Sequence, residues 1–138
     1  LCIQNIEGKL VNKETNPKYY FLDNGLLNLF LLDGNTALLE NLVAVNLIRK
    51  YGREDAVFYY HKNHEVDFYV PEASLAIQVC YKLDSSLNTY NREVDSLIKI
   101  TKVLDCKKLV IVTKDQEQTL EVDGRTIEVI PIWRWLTA

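Results

Sequence analysis

The apolar positions of this 138-residue chain change their period along its length, and each period predicts a different element. Between residues 37 and 51, leucines and valines recur every three or four positions, which indicates an amphipathic helix. Residues 56–60 and 65–70 are apolar-rich runs joined by "HKNH", which is typical of an antiparallel hairpin. Residues 75–82 predict a third strand. The first part of the chain therefore predicts one helix followed by three strands.

The later part of the chain predicts a further helix and more strands. The apolar residues of 89–104 fall on one side of a helix. Residues 108–113, "KLVIVT", predict a strand at the centre of a sheet. The alternating residues 119–130 surround Asp123-Gly124, a dipeptide that favours a hairpin turn. The predicted fold class is α/β (α+β mixed), with a helix-strand-strand-strand-helix-strand core, an extra C-terminal hairpin and helices packed on a mixed sheet.

The segment ahead of the first long helix carries weaker patterns. The first dozen residues predict an extended lead-in, and Tyr19 to Leu22 predict a short strand or an extended run. Residues 26–32 predict a short helix. Thr36 is the predicted N-cap of the long helix, and Gly52 is the predicted stop just past its end. These elements add to the core without changing the fold class.

Length and composition indicate an ordinary globular domain. The chain suits a single domain over residues 1–138, with 48% apolar and 25% charged residues. No run approaches the ~20 apolar residues of a membrane span, and no signal peptide is visible. Three irregularly spaced cysteines predict reduced thiols. We therefore expect a cytoplasmic protein without a membrane partner, and the start at Leu1 with no Met predicts a domain cut from a longer protein.

The charge of the chain bears on nucleic acid as a partner. A net charge of -3 and a pI of about 5.4 provide no basic face in bulk. A local patch remains open, because Lys99, Lys102, Lys107 and Lys108 lie within ten residues of one another. A solvated helix end is the simpler interpretation of these lysines.

Strand alternation brings candidate polar side chains together. In the third strand, Gln78, Cys80 and Lys82 share one face. If the second and third strands pair, Asp67 lies near Gln78 and Cys80. Glu40 is a carboxylate in largely apolar company on the first long helix. The apolar face of the second strand is expected to hold Val66, Phe68 and Val70.

Other polar and aromatic residues have both a functional and an ordinary interpretation. Arg92 and Glu93 either line the same cleft or are solvated. His61 and His64 either bind a metal or occupy a polar turn. The two tryptophans near the end of the chain, Trp133 and Trp135, are expected to pack against this domain or a partner.

Five segments in order resemble a known family. They are similar to a domain of unknown function that follows the AAA-type ATPase domain in many bacterial and archaeal proteins, and that is related to the PD-(D/E)-x-K restriction-endonuclease-like superfamily. The resemblance implies a restriction-endonuclease-like core, a parent ATPase domain as partner, and a position at the C-terminus of the longer protein. The segments are "PKYYFLDNGLLN", "LLENLVAVNLIRKYG", "HEVDFYV", "LAIQVCYKL" and "IPIWRWL".

The resemblance also implies site residues. Glu40 matches the helix acid and Asp67 the metal-binding Asp, whereas Gln78 and Cys80 stand where the family has an acid and a lysine. Such nucleases hold Mg²⁺ on carboxylates to activate water, and a lysine stabilises developing charge. Gln78 supplies no charge, and a thiol is a poor Mg²⁺ ligand. Lys82, ~6.6 Å along the strand from Cys80, could reach back on its flexible stem.

Three functional hypotheses follow from these residues. The first is a non-catalytic, degenerate nuclease-like domain that engages a protein partner or DNA, or regulates its parent ATPase, with no cofactor. The alternative is an active Mg²⁺-dependent DNA nuclease that uses Glu40, Asp67, Gln78 and Lys82, with the first three as metal ligands. A third hypothesis is a stand-alone protein-binding domain. The nuclease ancestry predicts that the third strand is central and that Glu40, Asp67 and Gln78 converge.

Overall fold

The computed structural model describes residues 2–10, 16–21, 35–84 and 87–137. Its strands are β1 (Cys2–Asn5), β2 (Lys18–Tyr19), β3 (Phe58–His61), β4 (Glu65–Val70), β5 (Leu75–Val79), β6 (Lys108–Thr113), β7 (Gln118–Val122) and β8 (Arg125–Pro131). Its α-helices are α1 (Ile6–Leu10), α2 (Asn35–Tyr51), α3 (Leu87–Ile100) and α4 (Ile132–Thr137). Single turns of 3-10 helix lie at Glu54–Ala56 and Pro71–Ala73.

The described strands form one mixed sheet in the order β2-β1-β3-β4-β5-β6-β8-β7. β4 pairs antiparallel with both β3 and β5, whereas β6 pairs parallel with both β5 and β8. The predicted mixed α/β class is confirmed. β5, which carries Gln78, lies inside the sheet as predicted, and so does β6, whose residues 109–112 are apolar.

Helices cover both faces of the sheet, so each face has its own apolar cluster. The cluster on the α2 side includes Leu39, Val43, Leu47, Phe68, Val70, Ile77, Val79, Val110 and Val112. The cluster on the α3 side includes Tyr60, Val66, Tyr69, Ala76, Cys80, Val94, Leu97, Leu109 and Ile111. Because β4, β5 and β6 contribute to both clusters, they are buried on both faces. A polar side chain on these strands is therefore surrounded by apolar residues and needs a hydrogen-bond partner within the protein.

Two predicted chain reversals have the expected backbone. Asp123 and Gly124 have φ angles of 50° and 74° between β7 and β8. This pair of positive angles is typical of the primed turn that suits a hairpin. Gly52 has a φ of 76°, and its N–H donates to the Ile48 carbonyl at 2.8 Å, which ends α2 as predicted.

Several element boundaries differ from the predictions. The expected lead-in forms β1 and α1, because Ile3 and Ile6 are buried and give these residues a core to pack on. α2 begins at Asn35 rather than after Thr36. The predicted start of β3 is taken by the turn at Glu54–Ala56, and β5 ends at Val79 rather than at residue 82. The helix predicted for residues 26–32 lies outside the described residues.

A bulge in β4 changes the facing of its side chains. Phe58 pairs with Tyr69 and Tyr60 pairs with Val66, so one residue of β3 lies opposite two residues of β4, Asp67 and Phe68. Val66 therefore joins the α3-side cluster, while Phe68 joins the α2-side cluster. The prediction that Val66 shares a face with Phe68 and Val70 is wrong for this reason. The bulge lies at Asp67, where the candidate site begins.

Candidate functional site

Side chains connect β4 and β5 where their main-chain pairing ends. The regular ladder runs as far as the Phe68–Ile77 pair. Beyond it, the Asp67 N–H donates to Gln78 Oε1 at 3.0 Å, and Gln78 Nε2 donates to the Glu65 carbonyl at 3.0 Å. In return, the Val79 N–H donates to Asp67 Oδ2 at 2.8 Å. The Gln78 amide thus takes the place of a peptide group, as both donor and acceptor, between the two strands.

A cavity of about 580 Å³ opens beside this bridge. Its wall includes Glu40, Asp67 and Gln78, so these three predicted residues meet at one place. Arg92 and Glu93 from α3 line the same cavity, as expected if this pair belongs to the site. Further polar residues on the wall are Thr36, Asn63, His64, Glu65, Asp95, Ser96 and Lys99.

Glu40 is fixed by a tyrosine that the sequence patterns did not predict. The Tyr20 hydroxyl donates to Glu40 Oε2 at 2.6 Å, and its ring packs on Phe68 with centroids 5.6 Å apart. The buried amide of Asn41 accepts from the Phe21 N–H and donates to the Phe21 carbonyl, both at 2.8 Å. Asn41 therefore holds residues 18–21 against α2, and this contact places Tyr20 over Glu40.

Lys18 on β2 brings a cation to the same carboxylates, and the patterns gave no signal for it. Its ammonium forms an ion pair with Glu65. Burial alone would lower the pKa of Lys18. The hydrogen bond to Glu65 and the charges of Glu40 and Asp67 outweigh burial, so the pKa is raised. Lys18 is thus held in its charged form beside the acids of the cavity.

A family described as a domain of unknown function, DUF4143, matches residues 35–135. The chain belongs to this family. It is similar to an uncharacterized protein of Haemophilus influenzae (strain ATCC 51907 / DSM 11121 / KW20 / Rd), with 37% identity over 137 residues. The match covers 96% of this chain and 31% of the relative, so the chain spans about a third of that protein's length. No solved structure matches the chain.

Burial and neighbouring carboxylates raise the pKa of two acids in this DUF4143 domain, Asp67 and Glu93. Burial raises the pKa of Asp67 well above its usual range, and the carboxylates of Glu40 and Glu93 add to the shift. The hydrogen bond from the Val79 N–H and the charge of Lys18 oppose it. Burial likewise raises the pKa of Glu93, against the nearby guanidinium of Arg92 at 3.4 Å. In both positions the protonated carboxyl is therefore more stable, relative to the carboxylate, than in a free acid.

The position of the family's lysine is buried. Cys80 is 5% exposed and belongs to the α3-side cluster, and its N–H donates to the Val112 carbonyl at 3.0 Å. Burial raises the pKa of its thiol to about 12, with Glu93 and Asp67 adding to the shift. Lys82 is exposed beyond the end of β5 and is not among the described residues that line the cavity. The structure brings together Glu40, Asp67 and Gln78 but leaves Lys82 outside.

The donor set does not fit the Mg²⁺ ion that the family resemblance implies. The Gln78 carbonyl oxygen and Asp67 Oδ2 already accept backbone hydrogen bonds, and Glu40 Oε2 accepts one from Tyr20. Within the described ranges, no three His, Cys, Asp or Glu side chains are grouped to hold a metal ion. Mg²⁺ requires several anionic oxygens in near-octahedral geometry. We therefore derive no metal-assisted step at this site.

The two histidines of the hairpin lie in different surroundings. His64 lines the cavity and packs on Tyr60 with ring centroids 5.0 Å apart. Burial lowers the pKa of its imidazole, and the charge of Lys99 lowers it further. His61 is exposed at the end of β3.

None of the described helices is long and apolar enough to span a membrane.

Proposed function

We propose that this DUF4143 domain is a non-catalytic, degenerate nuclease-like domain at the C-terminus of a longer AAA-type ATPase. In this role it engages a partner, or regulates the ATPase, in the cytoplasm of a bacterium. The five ordered segments support the relation, and so does a relative of which this chain spans 31%. The core order of α2, β3, β4, β5, α3 and β6 is consistent with a restriction-endonuclease-like ancestry.

The Gln78 bridge is the observation that carries this proposal. A nuclease uses an acid at this position for its charge. The side chain here instead donates to the Glu65 carbonyl and accepts from the Asp67 N–H. A carboxylate lacks the donor, and it would place a negative oxygen against the carbonyl of Glu65. The position is therefore used for strand pairing, and its amide is unsuited to the role of the missing acid.

The lysine position supports the same conclusion. A neutral, buried thiol at Cys80 cannot stabilise the negative charge that develops on a phosphate during cleavage. Lys82 lies outside the cavity, so it does not take over from a lysine at position 80. Both side chains that depart from the family pattern therefore have a structural role: Gln78 bridges β4 and β5, and Cys80 packs in the α3-side cluster.

The charge of the cavity favours a protein partner over nucleic acid. Its described wall carries five carboxyl groups (Glu40, Glu65, Asp67, Glu93 and Asp95), two of which have a raised pKa, against the cations Arg92 and Lys99 and the neighbouring Lys18. The excess of carboxyl groups over cations disfavours a polyanionic strand, since like charges in a cleft reinforce one another. A partner that presents a basic side chain would meet attraction.

The test is DNA cleavage with Mg²⁺ or Mn²⁺. We would compare the wild-type protein with Asp67→Ala and with Asp95→Ala, a control acid on the exposed side of the same cavity. The proposal expects no cleavage by the wild type and no heat of metal binding by titration calorimetry. Cleavage by the wild type that disappears in Asp67→Ala but persists in Asp95→Ala would overturn it.

The alternative, an active Mg²⁺-dependent nuclease with a divergent site, is favoured by one observation. Lys18 holds a charge next to Glu65, with the carboxylates of Glu40 and Asp67 close enough to raise its pKa. A lysine at that place could serve in the role that Cys80 cannot fill. If the wild type cleaves DNA, Lys18→Gln should abolish cleavage and Lys82→Gln should not. Loss of activity in Lys82→Gln alone would instead assign the role to Lys82.

A further inference from the structure

A second cavity, of about 670 Å³, lies at the other end of α2. It is enclosed by the last turns of α2, by α4 and by β5, β6 and β8. The charged side chains on its described wall are Arg49, Lys50, Lys108, Arg134 and Glu128. With four cations and one carboxylate, this wall has the opposite charge to that of the first cavity, although the whole chain is acidic.

The cations come from three separate elements and are weakly paired. Arg49 and Lys50 lie at the end of α2, where basic residues also favour the helix dipole. That effect does not account for Lys108 at the start of β6 or for Arg134 on α4. Among the described residues, Arg49, Lys50 and Lys108 form no ion pair, whereas Arg134 pairs with Glu117.

Apart from Asn46 and Tyr51, the remainder of the wall is apolar, and it includes one buried donor without a partner among the described residues. Leu75, Val110 and Ile130 line it together with the half-buried indole of Trp135. The Trp135 Nε1–H is buried and donates to no acceptor in the described ranges. Buried polar groups normally have a hydrogen-bond partner. The partly exposed indole, which packs against the α2-side cluster, shares this wall with four cations, so the cavity offers an apolar surface for a flat group and charge for an anion.

We propose that this cavity binds a nucleoside phosphate. Guanidinium and ammonium groups on Arg49, Lys50 and Lys108 hold the phosphate, because charge-assisted hydrogen bonds to phosphate are strong. The base packs on the indole of Trp135, as bases do on aromatic side chains. The volume is within the range of small-ligand sites. A free nucleotide and the phosphorylated end of a nucleic acid strand carry the same chemistry.

Tryptophan fluorescence tests this proposal directly. The chain has two tryptophans, so in a Trp133→Phe background Trp135 is the only reporter. We would titrate this protein with AMP, with inorganic phosphate, and with one oligonucleotide with and without a 5′-phosphate. We expect a saturable change with AMP. The double variant Arg49→Gln/Lys108→Gln should weaken binding at least about tenfold, whereas Lys102→Gln/Lys107→Gln, exposed lysines outside the cavity, should not.

Each outcome of the titration bears on the assignment. Tighter binding of the phosphorylated oligonucleotide than of AMP assigns a strand end as the ligand, and the reverse assigns a free nucleotide. No saturable change with AMP or the phosphorylated oligonucleotide, equal binding of inorganic phosphate and AMP, or an unchanged affinity in the double variant would overturn the proposal. Because the two cavities share no lining residue, this test and the cleavage test can fail independently.

Discussion

The two ends of α2 border cavities that use their charged groups differently. Glu40 and Arg49 are nine positions apart, about 14 Å along a helix. Around Glu40, polar side chains bond to one another and to the main chain of β4 and β5. Around Arg49, the cations have few partners among the described residues. Polar groups that are satisfied internally stabilise a fold, whereas unpaired charges on a cavity wall remain available to a ligand. Substitutions of the hydrogen-bonded groups at the first cavity should therefore change stability, and those of the cations at the second should change binding.

The largest effect is expected from Cys80→Lys, which introduces the family's lysine. The thiol is 5% exposed in the α3-side cluster with Val94 and Leu97, so an ammonium there loses its hydration and overpacks the core. We expect the free energy of unfolding, measured in urea, to fall by about 4 kcal/mol. Cys2→Lys, at a partly exposed thiol, is the matched control and should cost less than about 1 kcal/mol. Equal losses in the two variants would contradict the buried role of Cys80.

Gln78→Glu should have the next largest effect. The carboxylate loses the donor to the Glu65 carbonyl and adds a negative charge near Asp67 and Glu93. Leaving a buried acceptor unsatisfied costs about 1–3 kcal/mol and more beside a charge, so we expect a loss of about 3 kcal/mol. Gln118→Glu, on the exposed β7, is the control and should change stability by less than about 0.5 kcal/mol. A Gln78→Glu protein as stable as the control would show that the bridge is dispensable.

The sequence predicted the elements that carry Gln78 and Asp67 but not the bridge between them. Periodicity predicted α2, α3 and the order of β3 to β6, and alternation brought Asp67 near Gln78, because both signals are local. The β4 bulge was missed, since it depends on which residues of β3 and β4 pair. The bridge made by Gln78 depends in turn on where β4 and β5 stop pairing.

The missed site residues share a different cause. Lys18 reaches Glu65 across 47 positions of sequence, and Tyr20 reaches Glu40 across 20. No periodic pattern within residues 18–21 carries information about such partners. Only the residue type at position 40 pointed to a missing partner. Glu40 is a carboxylate among apolar neighbours on α2, and such a group needs a hydrogen-bond donor. The sequence therefore indicated that a partner exists but not which residue supplies it.

Asp67→Asn should stabilise the domain at neutral pH. Because the folded-state pKa of Asp67 is raised above its ordinary value of 3.8, the folded protein binds the proton more tightly than the unfolded chain does. The contribution of this group to stability is therefore present at low pH and is lost as the pH rises from about 4 through the folded-state pKa. Asn cannot ionise and still accepts from the Val79 N–H, so the gain at neutral pH should be on the order of 1 kcal/mol.

Unfolding curves measured from pH 4 to pH 8 check this prediction. The difference in unfolding free energy between Asp67→Asn and the wild type should increase across that range. Asp95→Asn, an exposed acid on α3, is the control and should track the wild type. A wild-type curve that gains stability relative to Asp67→Asn as the pH rises would reverse the sign and show that Lys18 dominates the charge balance around Asp67.

Lys108→Gln should have the smallest effect on stability. Its ammonium is exposed and forms no ion pair with a described residue, while the main-chain N–H of Lys108 donates to the Ser74 carbonyl at 3.1 Å and is unaffected by the change. Surface substitutions of this kind usually remain within about 0.5 kcal/mol. The expected result is an unchanged unfolding curve together with weaker binding of AMP. A loss of stability comparable to that of Gln78→Glu would mean that the basic wall, like the acidic one, is satisfied internally, and the distinction between the two ends of α2 would fail.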